Sequence, residues 1–107
     1  MNKKVKRPWG YYNLLVKQNE YLIKKIVISA KQSISLQKHN HRSEHWIVLS
    51  GKAHIVIGTK KIILKESQTI FVPAKRRHKI TNKSSESLII LETQLGKILS
   101  EKDIIRY

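Results

Sequence analysis

A chain of 107 residues without cysteine has room for one hydrophobic core and excludes disulfide frameworks, thiolate metal centres and thiol nucleophiles. Its 22 Lys and Arg against 7 Asp and Glu give a formal charge of +15, which raises nucleic acid or an anionic surface as partner. The lysines are spread along the whole chain and the aromatic residues are few and scattered, however, so neither a directed nucleic-acid face nor a base-stacking platform is read.

In chain order, residues 1–10 read as an N-terminal arm, basic at Lys3, Lys4, Lys6 and Arg7. Nine segments then follow, at 11–16, 21–29, 34–39, 44–50, 52–58, 60–65, 69–72, 79–82 and 87–94, each rich in β-branched or aromatic residues and bounded by Gly, Asn, Ser or Lys. Nine short strands in one small domain predict an all-β sandwich or barrel. Gly51 and Gly58 punctuate turns around 53–57, whose alternation puts Ala53, Ile55 and Ile57 on one face and His54 on the other, so His54 is expected at the surface. Trp46 and Phe71 are expected in or beside the core. Ser100-x-x-Asp103 before Ile104-Ile105 is a helix-capping pattern and predicts at most one short C-terminal helical turn. No apolar run approaches the roughly 20 residues of a membrane span, and no signal-peptide core follows the basic N-terminus, so a cytoplasmic protein with no membrane partner is expected. Exposed edge strands favour a homodimer, because symmetric pairing protects edges.

The chemistry concentrates in Gln37-Lys38-His39-Asn40-His41-Arg42-Ser43-Glu44-His45-Trp46, which holds three of the five histidines and one of the seven carboxylates. On a strand Gln37 and His39 share a face, and Glu44 follows after a kink at 40–42. His78, in Pro73-Ala74-Lys75-Arg76-Arg77-His78-Lys79, offers a further ligand from a distant strand. Imidazole nitrogen with carboxylate or amide oxygen suits a first-row divalent ion, with zinc first and manganese, iron, cobalt and nickel also compatible. Gln37, His39, Glu44 and His78 form one candidate set of metal ligands. A second set, His39, His41, His45 and His78, also fits strand parity.

Gln37-x-His39, Glu44 and Gly51, with Pro73, His78 and Asn82, resemble the two motifs of the cupins, Gln standing for the usual first His. Arg7-Pro8-Trp9-Gly10, the run from Ser35 to Val48, and Asp103-Ile104-Ile105-Arg106 are similar to the isomerase domain of type II phosphomannose isomerases, over residues 7–106. Three positions depart from that family: Ala30-Lys31 replaces Pro-Gly, Lys75 replaces a Gly, and Lys79 follows His78 where Arg is usual.

The resemblance implies a small double-stranded β-helix, a jelly-roll-like cupin barrel forming a single domain over 1–107. It implies a metal-dependent isomerase that interconverts mannose 6-phosphate and fructose 6-phosphate, and it favours Gln37, His39, Glu44 and His78 as the metal ligands. In the family this domain follows a mannose-1-phosphate guanylyltransferase, for which 107 residues leave no room, so a separate guanylyltransferase chain is an expected partner. A non-catalytic sugar-phosphate-binding cupin, or one modifying another sugar, stands as the alternative. Proton transfer between C1 and C2 needs a base, for which His41, His45 and Glu92 are the candidates. Arg42, Arg77 and Lys79 are candidate contacts to the substrate phosphate.

Overall fold

The structure is a computed structural model that describes residues 3–97, 99 and 102–107. β1 (Lys4–Arg7) and β2 (Gly10–Lys17) form the opening hairpin, followed by β3 (Tyr21–Ile28), β4 (Ser33–Lys38), β5 (Arg42–Ser50), β6 (Ala53–Ile57), β7 (Lys60–Leu64), β8 (Thr69–Val72), β9 (His78–Thr81), β10 (Leu88–Gly96) and β11 (Ile105–Arg106). They make two antiparallel sheets, one ordered β1-β2-β3-β10-β5-β8 and the other β11-β4-β9-β6-β7. Among the described residues there is no helix, and hence none that could cross a membrane.

The nine strands expected from alternation are present, and the two ends differ from expectation. Residues 4–7, read as part of a solvated arm, pair with 10–13 as an edge strand whose Val5 alone is half-buried. At the C-terminus, Ile105 and Arg106 pair with Lys38 and Gln37 instead of turning into a helix. Ser100 of the capping pattern lies outside the described residues. The Asp103 carboxylate caps the turn between β4 and β5, accepting from the backbone N–H groups of Asn40 at 3.0 Å and His41 at 2.9 Å.

The register explains why one end of the barrel is apolar and the other polar. Ile26, Ile28, Val48, Ile55, Ile80, Leu88 and Ile90 fill one end from both sheets, each contributing about 1.5–3 kcal/mol by burial. Further along the strands, the first sheet aligns Leu14, Lys24, Glu92, Trp46 and Ile70 in one inward row, with Leu22, Gln94, Glu44 and Val72 in the next. The second sheet aligns Arg106, Gln37, His78 and Ile57. Charged and amide side chains thus meet across the gap between the sheets. Asn82 is fully buried and holds the loop before β10, donating to the Ile28 carbonyl at 2.9 Å and the Glu86 carbonyl at 2.8 Å.

Two turns use left-handed backbone at lysine. Lys31 has φ 63° and Lys75 φ 66°. These are two of the positions at which the sequence departs from Gly, so the conformation is retained without the residue best suited to it.

Candidate active site

A register shift in β4 places the site. Ile34 pairs with Ile80 and Gln37 with His78, so three steps on β4 face two on β9. An extra residue of this kind reverses which side chains point inward. Ile34 faces the core before the bulge, and Gln37 and His39 face the interior after it, both buried. β5 then returns with Arg42, Glu44, Trp46 and Val48 inward and His45 outward.

His39, Glu44 and His78 come together with their ligand atoms within 4.8 Å of one another, all three buried. The His39 Nδ1–H donates to the Asp103 carbonyl at 2.7 Å and the His78 Nδ1–H to the Arg76 carbonyl at 3.1 Å. A carbonyl can only accept, so each Nδ1 carries a proton and each Nε2 faces Glu44. His39 Nε2 lies 3.1 Å from Glu44 Oε2, and His78 Nε2 lies 4.0 Å from Oε1. With both rings neutral, two imidazole lone pairs and a carboxylate converge on one point, and backbone carbonyls on the far ring nitrogens are the outer support typical of metal-binding histidines. The donor set therefore fits a divalent ion. Gln37 lines the same cavity, with its amide nitrogen on the Ser35 carbonyl at 3.3 Å and its oxygen as the ligand-type atom.

Arg42 is buried in this cluster. Its Nε donates to Glu44 Oε2 at 3.1 Å and its Nη2 to His39 Nε2 at 3.1 Å. Burial alone would raise the Glu44 carboxyl, but the hydrogen bond and charge of His39, followed by the charges of Arg42 and His78, outweigh it and hold the group at about 2. Burial pushes His78 below its ordinary value and thereby favours the neutral ring a metal needs.

Glu92 is the second interior carboxylate and has the opposite character. The Trp46 indole N–H is shared between the two, 3.0 Å from Glu44 Oε1 and 3.2 Å from Glu92 Oε2. Burial and then the neighbouring Glu44 charge push Glu92 up to about 7, against a smaller pull from Lys24. The Gln94 amide nitrogen donates to Glu92 Oε1, while the buried Gln94 Oε1 has no hydrogen-bond partner among the described residues. These groups line a cavity that opens to solvent on one side.

The other expected site residues are placed differently. His45 sits on the outer face with its ring 4.8 Å from that of Phe71, and His41 is exposed, so neither lines the cavity as a base would have to. Phe71 itself is 48% exposed, outside the core. The Arg77 guanidinium lies 4.2 Å over the Tyr107 ring, also outside the cavity. Lys79 reaches the cavity rim, but on β9 it alternates with the inward His78 and Ile80 and is exposed. Arg42 is inside, engaged with Glu44 and His39. Sequence reasoning missed Lys24, Gln94, Arg7 and Arg106 as cavity residues. Parity could have found the first two, since Lys24 falls between Leu22 and Ile26 and Gln94 follows Ile90 and Glu92.

The whole chain, residues 1–107, matches the family described as mannose-6-phosphate isomerase C-terminal. It is 37% identical over 106 residues to the xanthan biosynthesis protein XanB of Xanthomonas campestris pv. campestris, covering 99% of this chain and 23% of that protein. To the mannose-1-phosphate guanylyltransferase RfbM of Salmonella typhimurium it is 37% identical over 105 residues, covering 98% and 22%. The chain thus spans less than a quarter of these curated relatives. Among solved structures, an RmlC-like cupin from Shewanella frigidimarina is similar with a TM-score of 0.80 at 16% identity, covering 95% of this chain and 87% of that one. The capsular polysaccharide assembling protein CapF from Staphylococcus aureus gives 0.84 at 12% identity, covering 99% and 34%. At such identities the likeness speaks for the fold alone, which is that of a cupin.

Proposed function

The chain belongs to the mannose-6-phosphate isomerase C-terminal family, and we propose that it is a metal-dependent aldose–ketose isomerase that interconverts mannose 6-phosphate and fructose 6-phosphate. The observation that carries this reading is the pairing, across one indole N–H, of a carboxylate held ionised among two imidazoles with a carboxyl poised near neutrality. Neighbouring carboxyls pushed apart in this way suit different roles in one reaction. A divalent ion held by His39, Glu44 and His78, with Gln37 at hand, would polarise the sugar carbonyl or its adjacent hydroxyl. Glu92, at about 7, takes the proton from one carbon and returns it to the next, since a base near ambient pH is efficient in both directions. Trp46 and Gln94 hold its two oxygens, and the unpaired Gln94 Oε1 accepts from a sugar hydroxyl.

The test is fructose 6-phosphate formation from mannose 6-phosphate by the metal-free protein and after reloading with zinc, manganese, cobalt or nickel. Turnover restored by one of these ions supports the reading, and none with any ion sinks it. A second reading, compatible with the names of the relatives, is a sugar-phosphate-binding module that serves a mannose-1-phosphate guanylyltransferase. Binding of mannose 6-phosphate without turnover would decide for that one. For the expected homodimer, the outer face of the β5–β10–β8 region, with Leu49 46%, Phe71 48% and Leu95 41% exposed, is the surface a second copy would cover. Sedimentation of wild type against Phe71→Glu tests it.

A further inference from the structure

Resting on the reading of a phosphorylated substrate, we propose that Arg7 and Arg106 form a phosphate-monoester subsite at the mouth of the cavity. β1 is an edge of the first sheet and β11 an edge of the second, and both arginines line the cavity that opens between them. Each sheet thus supplies one guanidinium to the same opening.

The register fixes where Arg106 stands relative to the chemistry. It is directly opposite Gln37, which is directly opposite His78, so the three share one inward row. Two strand spacings separate Arg106 from His78, about 10 Å between backbones. That is comparable with the length of an extended hexose whose first carbons lie at the His39–Glu44–His78 cluster and whose phosphate lies at the far end.

Of the other cations at or near the cavity, Lys79 stands exposed at the rim on the outward side of β9, and the rest are engaged. Arg42 is bound to Glu44 and His39, Lys24 stands 4.2 Å over the Tyr12 ring, and Arg77 lies over Tyr107. Among the described residues the Arg106 side chain has no hydrogen-bond or ion-pair partner. Arg7 uses one nitrogen on the Lys6 carbonyl at 3.0 Å and packs beside Tyr12, which leaves its other donors for an anion. A phosphate monoester carries a charge of about −1.5 to −2 and matches the planar fork of arginine, and bidentate pairing with such a group is among the stronger hydrogen-bonded contacts.

The test is calorimetric titration of the folded full chain with inorganic phosphate, mannose 6-phosphate and mannose, in wild type, Arg106→Ala, Arg7→Ala, Arg77→Ala and Lys61→Ala. Lys61 is exposed on β7, remote from the cavity, and controls for net charge. Loss of about ten- to hundred-fold in affinity for both phosphate-bearing probes in Arg106→Ala and Arg7→Ala, with Lys61→Ala and Arg77→Ala near wild type, supports the subsite. Unchanged affinity in Arg106→Ala, or an equal loss in Lys61→Ala or Arg77→Ala, overturns it. Arg106→Gln repeats the measurement with a polar side chain should the alanine variant fold poorly. Isomerisation with an unaltered Michaelis constant in Arg106→Ala would remove the subsite and keep the isomerase, whereas Arg106-dependent binding without turnover would do the reverse.

Discussion

Glu44 and Glu92 lie one strand apart on the same wall, yet their surroundings drive them in opposite directions, and the consequences are measurable separately. Glu44→Gln strands the buried Arg42 guanidinium without its counter-charge, which costs about 3–5 kcal/mol in addition to the bound ion. His78→Asn leaves the Arg42–Glu44 pair intact, so it is expected to lose metal and turnover by more than the roughly hundred-fold seen for outer supporting groups, with a much smaller fall in thermal midpoint. Metal analysis and thermal melts on the two variants check this contrast. Glu92 titrates the other way. With its carboxyl raised from 4.5 to about 7 in the folded state, the folded protein binds more protons than the unfolded one between those values. Its contribution to stability is therefore complete below about 4.5 and is lost as pH rises through about 7. In Glu92→Gln that loss disappears, because the amide stays neutral and Gln94 can turn its unpaired oxygen toward it. The melting midpoint of Glu92→Gln relative to wild type should thus rise between pH 5 and pH 8, while turnover is abolished and metal content is kept. Wild-type kcat/KM, which needs the ionised base, should rise with pH along a limb that a divalent charge on Glu44 moves below the metal-free value of about 7. Of these residues the sequence pointed to Glu44, Glu92, His39 and His78 by type and spacing. It also offered His45 and His41, although strand alternation forbids Glu44 and His45 from facing the same way.

At the level of elements, the bulge in β4 and the C-terminal β11 do what no periodicity could announce. Ile34 and Gln37 both face inward, three residues apart, which a regular strand does not permit and only the extra residue explains. β11 is two residues long and lacks an apolar pattern, so propensity gave it no weight. Yet the tail that carries it fixes the tautomer of His39 through the Asp103 carbonyl and closes the β4–β5 turn through the Asp103 carboxylate. Asp103→Ala removes two charge-assisted hydrogen bonds at a partly exposed site, and a loss of about 1–2 kcal/mol by denaturant titration is expected, with metal affinity weakened in parallel. The loop between β8 and β9 offers the reverse. Lys75 holds φ 66° while its N–H donates to the His39 carbonyl at 2.6 Å. An L-residue in that region costs about 1–2 kcal/mol, and glycine recovers most of it at about 0.5–1 kcal/mol of extra unfolded-state entropy. Lys75→Gly should therefore raise the melting midpoint by a few degrees. A lower midpoint would mean that the lysine stem makes contacts which outweigh the backbone.

Across the whole molecule, alternation and turn residues made the two-sheet barrel legible, because a chain with nine short amphipathic strands has few other ways to bury them. The cavity was not legible, because it is made by what the rows of two sheets bring opposite one another. His78 belongs to the second sheet, His39 follows directly on that sheet's β4, and Glu44 belongs to the first sheet, so an ion bound by all three ties the sheets together at their polar end. The apolar end is independent of it, with Ile26, Ile28, Val48, Ile55, Ile80, Leu88 and Ile90 buried between the same sheets. Removal of the ion should accordingly leave a folded barrel of lower stability, unlike a domain that is unfolded without its metal. An ion present at about a hundred times its dissociation constant stabilises by about 2.7 kcal/mol, which for a domain of this size corresponds to a midpoint shift on the order of 10 °C. Calorimetric melts before and after chelation should show that drop with a single cooperative transition, and returning the ion should restore both midpoint and turnover. A midpoint and a rate that ignore the chelator would mean that His39, Glu44 and His78 are joined only by Arg42 and their own hydrogen bonds, and Glu92 would then have to act without a Lewis acid.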